Sequence, residues 1–179
     1  MRKSLQLLPI GAPDPDLLEW LRYELSDGFR VDCDLMEPID PGFAFQPERK
    51  QYHSTELLHA MARHVGRNTW RVLGVTSLDL YIPILTFVFG EAQLGGRCAV
   101  VSYHRLRQEF YGLPNDRDLL AQRLLVESVH ELGHTMHLTH CPDHFCVMSS
   151  SHAVEWIDIK QHTFCRECAN RAVMSGGAR

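Results

Sequence analysis

The chain begins with a short apolar run that is followed by apolar positions at helical spacing. Residues 4–8 are typical of a buried strand, and Asp14-Pro15 then opens a helix with regularly spaced leucines. We expect Gly28 to end this helix and residues 30–36 to form a second strand. The pattern therefore predicts a βαβ unit at the start of the fold.

The middle of the chain predicts a loop, a helix and three strands. Prolines and a glycine make residues 37–52 an expected irregular loop, and residues 55–65 then have helical periodicity up to Gly66. Three segments rich in β-branched and aromatic residues follow, at 70–76, 80–89 and 98–103. Glycines separate these segments, so we expect adjacent strands that pair partly antiparallel.

Helical periodicity returns over residues 117–137, which predicts a long helix capped by Asn115 or Asp116. The chain then changes to a tail rich in cysteine and histidine. Two short helices and a frayed end are expected in this tail, at residues 153–161, 166–173 and 175–178.

Composition and charge narrow the possible partners. The chain has 179 residues, of which 45% are apolar and 22% charged, and its formal net charge is −4. At this length an ordinary domain buries roughly 70% of the surface that its unfolded chain exposes. The sequence has no run of lysine and arginine, so neither nucleic acid nor an anionic membrane is expected as a partner.

The expected compartment decides how the six cysteines are interpreted. The longest apolar run, residues 81–89, is far shorter than the roughly 18 residues that a membrane helix needs. The apolar stretch at residues 5–10 contains Pro9 and is too short for a secretory signal. We expect a cytoplasmic protein, in which cysteines bind metals more often than they form disulfides.

One segment of the long helix carries a metal-binding pattern. His130-Glu131-Leu132-Gly133-His134 is followed by His140, and the order His-Glu-x-x-His with a further histidine is a zinc-protease signature. Imidazoles at i and i+4 lie on one helix face, so both can reach a single ion. Glu131 then stands beside the open position of that ion.

A second metal-binding pattern follows directly. Two close pairs of cysteines separated by a loop are near to the Cys₄ pattern of structural zinc sites: Cys141 with Cys146, and Cys165 with Cys168. Such a site has no open position, so its ion contributes folding energy to the tail. Because Cys141 directly follows His140, we expect the two sites to be mechanically linked.

Several other residues have simple interpretations. Cys33 and Cys98 lie on predicted strands and are expected to be plain buried thiols. From its residue type alone, Met148 is expected to be an ordinary core residue. Most histidines outside the motif are expected at the surface or in the core, with His144 and His162 as alternative ligands at the cysteine site.

The two interlocked patterns resemble the archaemetzincins, a branch of the metzincin zinc proteases with a cysteine-bound structural zinc. The residues that carry this resemblance are His130-Glu131-x2-His134-x5-His140-Cys141-x4-Cys146-x-Met148 and Cys165-x2-Cys168. Segments 51–54, 87–92 and 94–97 are also similar to that family. Where metzincins usually have a glycine this chain has His137, which we expect in the left-handed conformation at a cost of about 1–2 kcal/mol.

The resemblance implies a fold and roles for the site residues. The implied class is α/β (α+β): a zincin-like metzincin fold with a twisted mixed sheet, an active-site helix and a small zinc-stapled C-terminal subdomain. Residues 1–138 would form the catalytic subdomain, and residues 139–179 the C-terminal one. The implied ligands are His130, His134 and His140 for a catalytic zinc and Cys141, Cys146, Cys165 and Cys168 for a structural zinc, with Glu131 as general base and Met148 in the Met-turn beneath the metal.

The expected function is that of a zinc metalloprotease with two Zn²⁺ ions per chain and a peptide or protein substrate. A water on the catalytic ion would have a pKa of about 7, and Glu131 would take its proton and deliver it to the leaving amine. By resemblance, an edge strand near residues 87–90 or 98–103 would bind the substrate in extended form. We expect a monomer.

Two other functions are compatible with the same residues. The first is a zinc-stabilised peptide-binding protein whose histidine site is weak or inactive. The second is a redox or metal-sensing module that uses Cys165 and Cys168 free of zinc. Occupancy of the histidine site, and hydrolysis that depends on Glu131, distinguish these alternatives from the peptidase.

Overall fold

The computed structural model describes residues 4–174, so the expected frayed end at 175–178 lies outside the described residues. Its strands are β1 (Ser4–Ile10), β2 (Cys33–Leu35), β3 (Phe45–Gln46), β4 (Gln51–His53), β5 (Thr69–Thr76), β6 (Leu80–Tyr81), β7 (Gly90–Ala92) and β8 (Cys98–Ser102). Its α-helices are α1 (Pro15–Phe29), α2 (Ser54–Met61), α3 (Arg117–Thr135), α4 (Val154–Asp158) and α5 (Arg166–Met174).

The main sheet has five strands in the order β2-β1-β5-β8-β7. β2, β1, β5 and β8 are parallel, and β7 pairs antiparallel with β8 at one edge. The predicted βαβ unit is therefore confirmed. α1 and α3 pack on one face of this sheet and α2 on the other, which explains why the central strands are apolar on both faces.

Side-chain caps start the two long helices as the sequence predicts. The Asp14 carboxylate accepts hydrogen bonds from the first-turn N–H groups of α1, and Asp116 accepts from the N–H of Leu119 in α3. The predicted end of α1 at Gly28 is wrong, because the left-handed residue that ends the helix is Arg30, with φ 53°. Its N–H and that of Val31 bond back to the last turn, which closes the helix without glycine.

The predicted strand at residues 80–89 is wrong over most of its length. Only Leu80–Tyr81 forms a strand, β6, and it pairs with β4 in a separate small sheet of order β3-β4-β6. Pro83 has no N–H for a sheet ladder. The carbonyls of Leu85 and Thr86 accept hydrogen bonds from the Arg49 guanidinium instead. Residues 82–89 thus form an irregular rim beside the main sheet, and β3 and β4 lie in the stretch expected as a loop.

The C-terminal segment follows α3 with little regular structure. α4 is shorter than the predicted helix at 153–161, and α5 agrees with the predicted helix at 166–173. α4 packs on α3, and the loops that carry Cys141, Cys146 and Cys165 pack against the same core as α5. Within residues 4–174 no helix is both long enough and apolar enough to cross a membrane.

Candidate active site

The C-terminal half of α3 forms the floor of an open cleft of about 680 Å³. The edge strand β7 and the rim, residues 82–89, form one wall, and residues 150–152 lie on the other side. The expected edge segment at 98–103 is wrong, because β8 is paired on both sides, with β5 and with β7. The strand that borders the cleft is therefore β7.

The structure brings His130, His134 and His140 together on this floor. Their nearest ring nitrogens all lie within 4.8 Å of one another. The Nε2 atoms of His130 and His134 are 3.1 Å apart, and the His140 ring lies against that of His130 with 5.4 Å between centroids. The histidines that the sequence motif singles out therefore converge on one point.

Backbone carbonyls determine which nitrogen of each helix histidine is protonated. His130 Nδ1 donates to the carbonyl of Val147, and His134 Nδ1 donates to that of Leu138, both at 2.7 Å. Each Nε2 is then an unprotonated acceptor, and two such lone pairs only 3.1 Å apart need a cation between them. Burial lowers the pKa of all three histidines, which keeps their imidazoles neutral and able to bind a metal.

Glu131 is buried at the edge of the same cleft. A Cβ on Gly90 of β7 would lie only 2.6 Å from Glu131 Cγ and 2.7 Å from the carbonyl oxygen of Val100, so this position requires glycine. Burial raises the pKa of the Glu131 carboxyl well above its usual range, and the carboxylates of Glu127 and Glu91 raise it further. The structure thus places one buried carboxyl group beside the converging histidines.

His137 has the left-handed conformation that the resemblance predicts, with φ 62°. Its N–H bonds to the carbonyl of His134 and that of Leu138 to the carbonyl of Gly133, so α3 ends two residues before the predicted boundary. The His137 ring lies flat on Gly95, where a Cβ would be 2.0 Å from Cε1. This contact packs the turn before the third histidine against the loop after β7.

Met148 lies beneath the histidines against α3. A Cβ on Gly133 would approach its Sδ to 2.3 Å, and Met148 itself is fully buried. Its carbonyl accepts a hydrogen bond from the N–H of Cys141 at 2.9 Å. Met148 is therefore a buried residue packed against the turn of α3 that lies between the two helix histidines.

The four cysteines of the tail also converge. Their Sγ atoms lie within 4.8 Å of one another, and those of Cys141 and Cys165 are 3.8 Å apart. Sulfurs bound at about 2.3 Å around a tetrahedral zinc are about 3.8 Å apart, so the cluster has the size that this ion requires. The N–H of Cys165 donates to Cys146 Sγ at 3.3 Å. The alternative ligands His144 and His162 are not part of this group.

The remaining cysteines are plain buried thiols, as the sequence predicts. Cys33 and Cys98 are 5% and 1% exposed. Burial raises the pKa of Cys33 to about 12 and that of Cys98 to about 11. Neither thiol belongs to a metal-binding group of the described residues.

Comparison with known proteins decides the family. Residues 45–173 match the family described as Peptidase family M54. The chain belongs to this peptidase family. It is 38% identical to an archaemetzincin of Methanocaldococcus jannaschii, over 96% of this chain and 92% of the relative. It is 37% identical to that of Pyrococcus furiosus, over 96% and 93% of the two chains.

Solved structures of similar proteins share the fold. An archaemetzincin structure from Archaeoglobus fulgidus matches with a TM-score of 0.81 and 34% identity, over 94% of this chain and 99% of that one. A zinc-dependent peptidase from Methanocorpusculum labreanum matches with a TM-score of 0.85 and 28% identity, over 94% and 100%. The expected zincin-like α/β fold and the archaemetzincin resemblance are confirmed. The chain is a metallopeptidase, and the binding-protein alternative is not favoured.

Sequence reasoning missed the groups that support the site. Gly90 and Gly95 leave room for Glu131 and for His137, and the sequence shows these glycines only inside short family-like segments. No short-range sequence pattern marks the buried pair of Glu127 and Lys160, because 33 positions separate them in the numbering.

Proposed function

We propose that this M54 peptidase binds zinc at His130, His134 and His140 and hydrolyses peptide bonds with Glu131 as general base. The observation that carries the proposal is the pair of unprotonated Nε2 atoms, 3.1 Å apart, beside a buried carboxyl group in an open cleft. The similarity to a zinc-dependent peptidase of Methanocorpusculum labreanum supports zinc as the ion.

The residues of the cleft divide the chemistry between them. His130, His134 and His140 would hold the zinc ion through neutral imidazoles, and the ion would supply Lewis-acid chemistry to a peptide carbonyl and to water. Glu131 accepts a proton as water attacks and delivers it to the leaving amine.

The edge of β7 is the proposed binding strand for the substrate. Glu91 of this strand accepts hydrogen bonds from the hydroxyls of Ser54 and Thr55 at the start of α2, which holds the strand in place. An extended peptide added at this edge would lie over Glu131 and beside the apolar rim. A peptide or protein segment in extended form is therefore the proposed substrate.

A second zinc ion is proposed at Cys141, Cys146, Cys165 and Cys168, which gives two ions per chain. The 3.8 Å separation of two of the sulfurs supports this assignment. Four thiolates leave no open position, so this ion stabilises the tail and takes no part in hydrolysis. We also propose a division into subdomains 1–138 and 139–179, and a monomeric, cytoplasmic enzyme, which sedimentation and cell fractionation would check.

Two measurements test the proposed function together. Elemental analysis should find two zinc ions in the wild-type chain and one in His130→Ala. A library of quenched fluorescent peptides should then contain substrates that the wild type cleaves and Glu131→Gln does not. One zinc ion in both the wild type and His130→Ala would refute the proposed site. Equal cleavage by the wild type and Glu131→Gln would also refute it.

A further inference from the structure

A buried ion pair lies behind the proposed catalytic residues. Lys160 follows α4, and its Nζ is 3.7 Å from Oε1 of Glu127 on α3. Only 1% of the Lys160 side chain and 4% of that of Glu127 are exposed. Glu127 precedes Glu131 by one helical turn and also lines the cleft. The pair therefore places an acidic and a basic side chain beside the proposed active site.

The contacts of this pair are incomplete as a salt bridge. Glu127 Oε1 is buried and has no hydrogen-bond partner among the described residues. The ammonium of Lys160 instead approaches the carbonyl oxygen of Val147 at 3.5 Å. That carbonyl is the acceptor that orients His130 through its Nδ1 at 2.7 Å. The ammonium and the imidazole N–H thus share one carbonyl.

A neighbouring ion pair joins α3 to α4 and does not line the cleft. Arg123 of α3 forms two 2.7 Å hydrogen bonds with Asp158 of α4, and it also donates to the carbonyl of Leu106. Arg123 lies one turn before Glu127 on the helix and does not line the cleft. The two pairs therefore differ in role, because only the Lys160 pair reaches the Val147 carbonyl, which accepts the hydrogen bond from His130.

We propose that Glu127 and Lys160 are positioning residues of the histidine site. Glu127 holds the Lys160 ammonium at the Val147 carbonyl, and this carbonyl fixes the protonation and direction of His130 for zinc. The proposal rests on the assignment of zinc to the histidine site. Partners of metal-bound histidines typically change metal affinity 10–100-fold when they are replaced.

The test measures zinc affinity, so it does not depend on finding a substrate. Competition with a chromophoric chelator would give the zinc affinity of the histidine site in four proteins: wild type, Glu127→Gln, the double variant Glu127→Gln/Lys160→Met, and Asp158→Asn. Thermal unfolding of each zinc-loaded protein would give its stability. The count of zinc at the cysteine cluster would confirm that the tail is folded.

The double variant separates positioning from charge. It removes one positive and one negative charge together, so the net charge near the zinc is unchanged and no buried charge lacks a partner. We expect its stability to be close to that of the wild type, whereas its zinc affinity at the histidine site falls about tenfold. Glu127→Gln should lower affinity at least as much, because it leaves the Lys160 charge unpaired near the ion.

Asp158→Asn is the matched control. It weakens the neighbouring ion pair between α3 and α4, so it should lower the unfolding temperature and leave the zinc affinity of the histidine site unchanged. Equal losses of affinity in Asp158→Asn and Glu127→Gln, or wild-type affinity in the double variant, would overturn the proposal. Absence of His130-dependent zinc from the wild type would instead show that the proposed function itself is wrong.

Discussion

The two metal-binding regions of this M54 peptidase are built in opposite ways. His130 and His134 lie on α3, a helix of 19 residues that is capped and packed on the main sheet. Each of the two imidazoles also donates a hydrogen bond to a backbone carbonyl. The cysteines lie mainly on loops of a tail with short helices. The two helix histidines are thus positioned by the fold, whereas the tail is proposed to depend on a zinc ion at the cysteine cluster. This difference predicts that altering one site has different consequences from altering the other.

The largest effect is expected from a change at the proposed general base, Glu131. Glu131→Gln should lower kcat/KM for a cleaved peptide about 10²–10⁴-fold, the usual contribution of a general base. The amide has the same shape, so the zinc content and the unfolding temperature should not change. Steady-state kinetics with elemental analysis would check this. Residual activity within twofold of the wild type would show that another group accepts the proton.

The next largest effect is expected from a change in the cysteine cluster that also alters the histidine site. Cys165→Ser should release zinc from the cysteine cluster and lower the zinc affinity of the histidine site about 10–100-fold. The physical reason is the segment 146–148, in which Cys146 binds in the cluster, Val147 orients His130 and Met148 packs under α3. Chelator competition would measure both sites.

A matched cysteine outside the cluster controls that experiment. Cys98 is buried in β8 and belongs to the core cluster around α2, which contains no residue of the tail. Cys98→Ser should lower stability moderately and leave both zinc affinities unchanged. If Cys165→Ser also leaves the histidine site unchanged, the two sites are not mechanically linked.

The same contrast explains what could be predicted from the sequence. The ligands on α3 follow from helix periodicity, since i and i+4 share one face, and the cysteine pairs follow from spacing. The central strands also follow from their apolar runs. These features depend on neighbours in the sequence, which is why their prediction succeeds.

The errors concern features that depend on distant parts of the chain. α1 ends at a left-handed residue that is not glycine, Arg30, and not at Gly28. The rim at residues 82–89 has strand-like composition, yet its carbonyls bond to Arg49. Lys160 reaches the site only through tertiary packing with Glu127. No local pattern contains these contacts.

A smaller effect is expected where the tail packs on the helix. Gly133→Ala adds a Cβ that would lie 2.3 Å from Met148 Sδ, so Met148 must move and the fold should lose about 1–3 kcal/mol. Gly28 in α1 has no atom within 4 Å of an added Cβ, so Gly28→Ala should be neutral or stabilise by up to about 1 kcal/mol. Urea unfolding would measure both. Equal destabilisation by the two changes would contradict the close packing at Gly133.

A still smaller difference in stability is expected between glycine substitutions at the two left-handed residues, Arg30 and His137. Glycine relieves backbone strain at either position, by about 1 kcal/mol. His137→Gly also loses the ring contact with Gly95, whereas Arg30 is exposed. We therefore expect Arg30→Gly to stabilise the fold more than His137→Gly, as measured by unfolding in urea. The reverse order would mean that the His137 ring contributes nothing to the turn.

The smallest effect concerns cysteines that should not react at all. With pKa values of about 12 and about 11, Cys33 and Cys98 are protonated at pH 8, with thiolate fractions of about 10⁻⁴ and 10⁻³. A thiol reagent added to the native, zinc-loaded protein should modify neither residue, as peptide mass analysis would show.

A metal chelator should expose the four cluster cysteines to the reagent first, because their loops are held by the ion, while Cys33 and Cys98 stay protected by the sheet. Since burial raises both pKa values above the usual value for cysteine, the stability that these thiols contribute is present below pH 9 and is lost as the pH rises through about 11 to 12. Modification of Cys33 or Cys98 before the cluster would show that the sheet opens more readily than the tail, the opposite of the order that the two kinds of site imply.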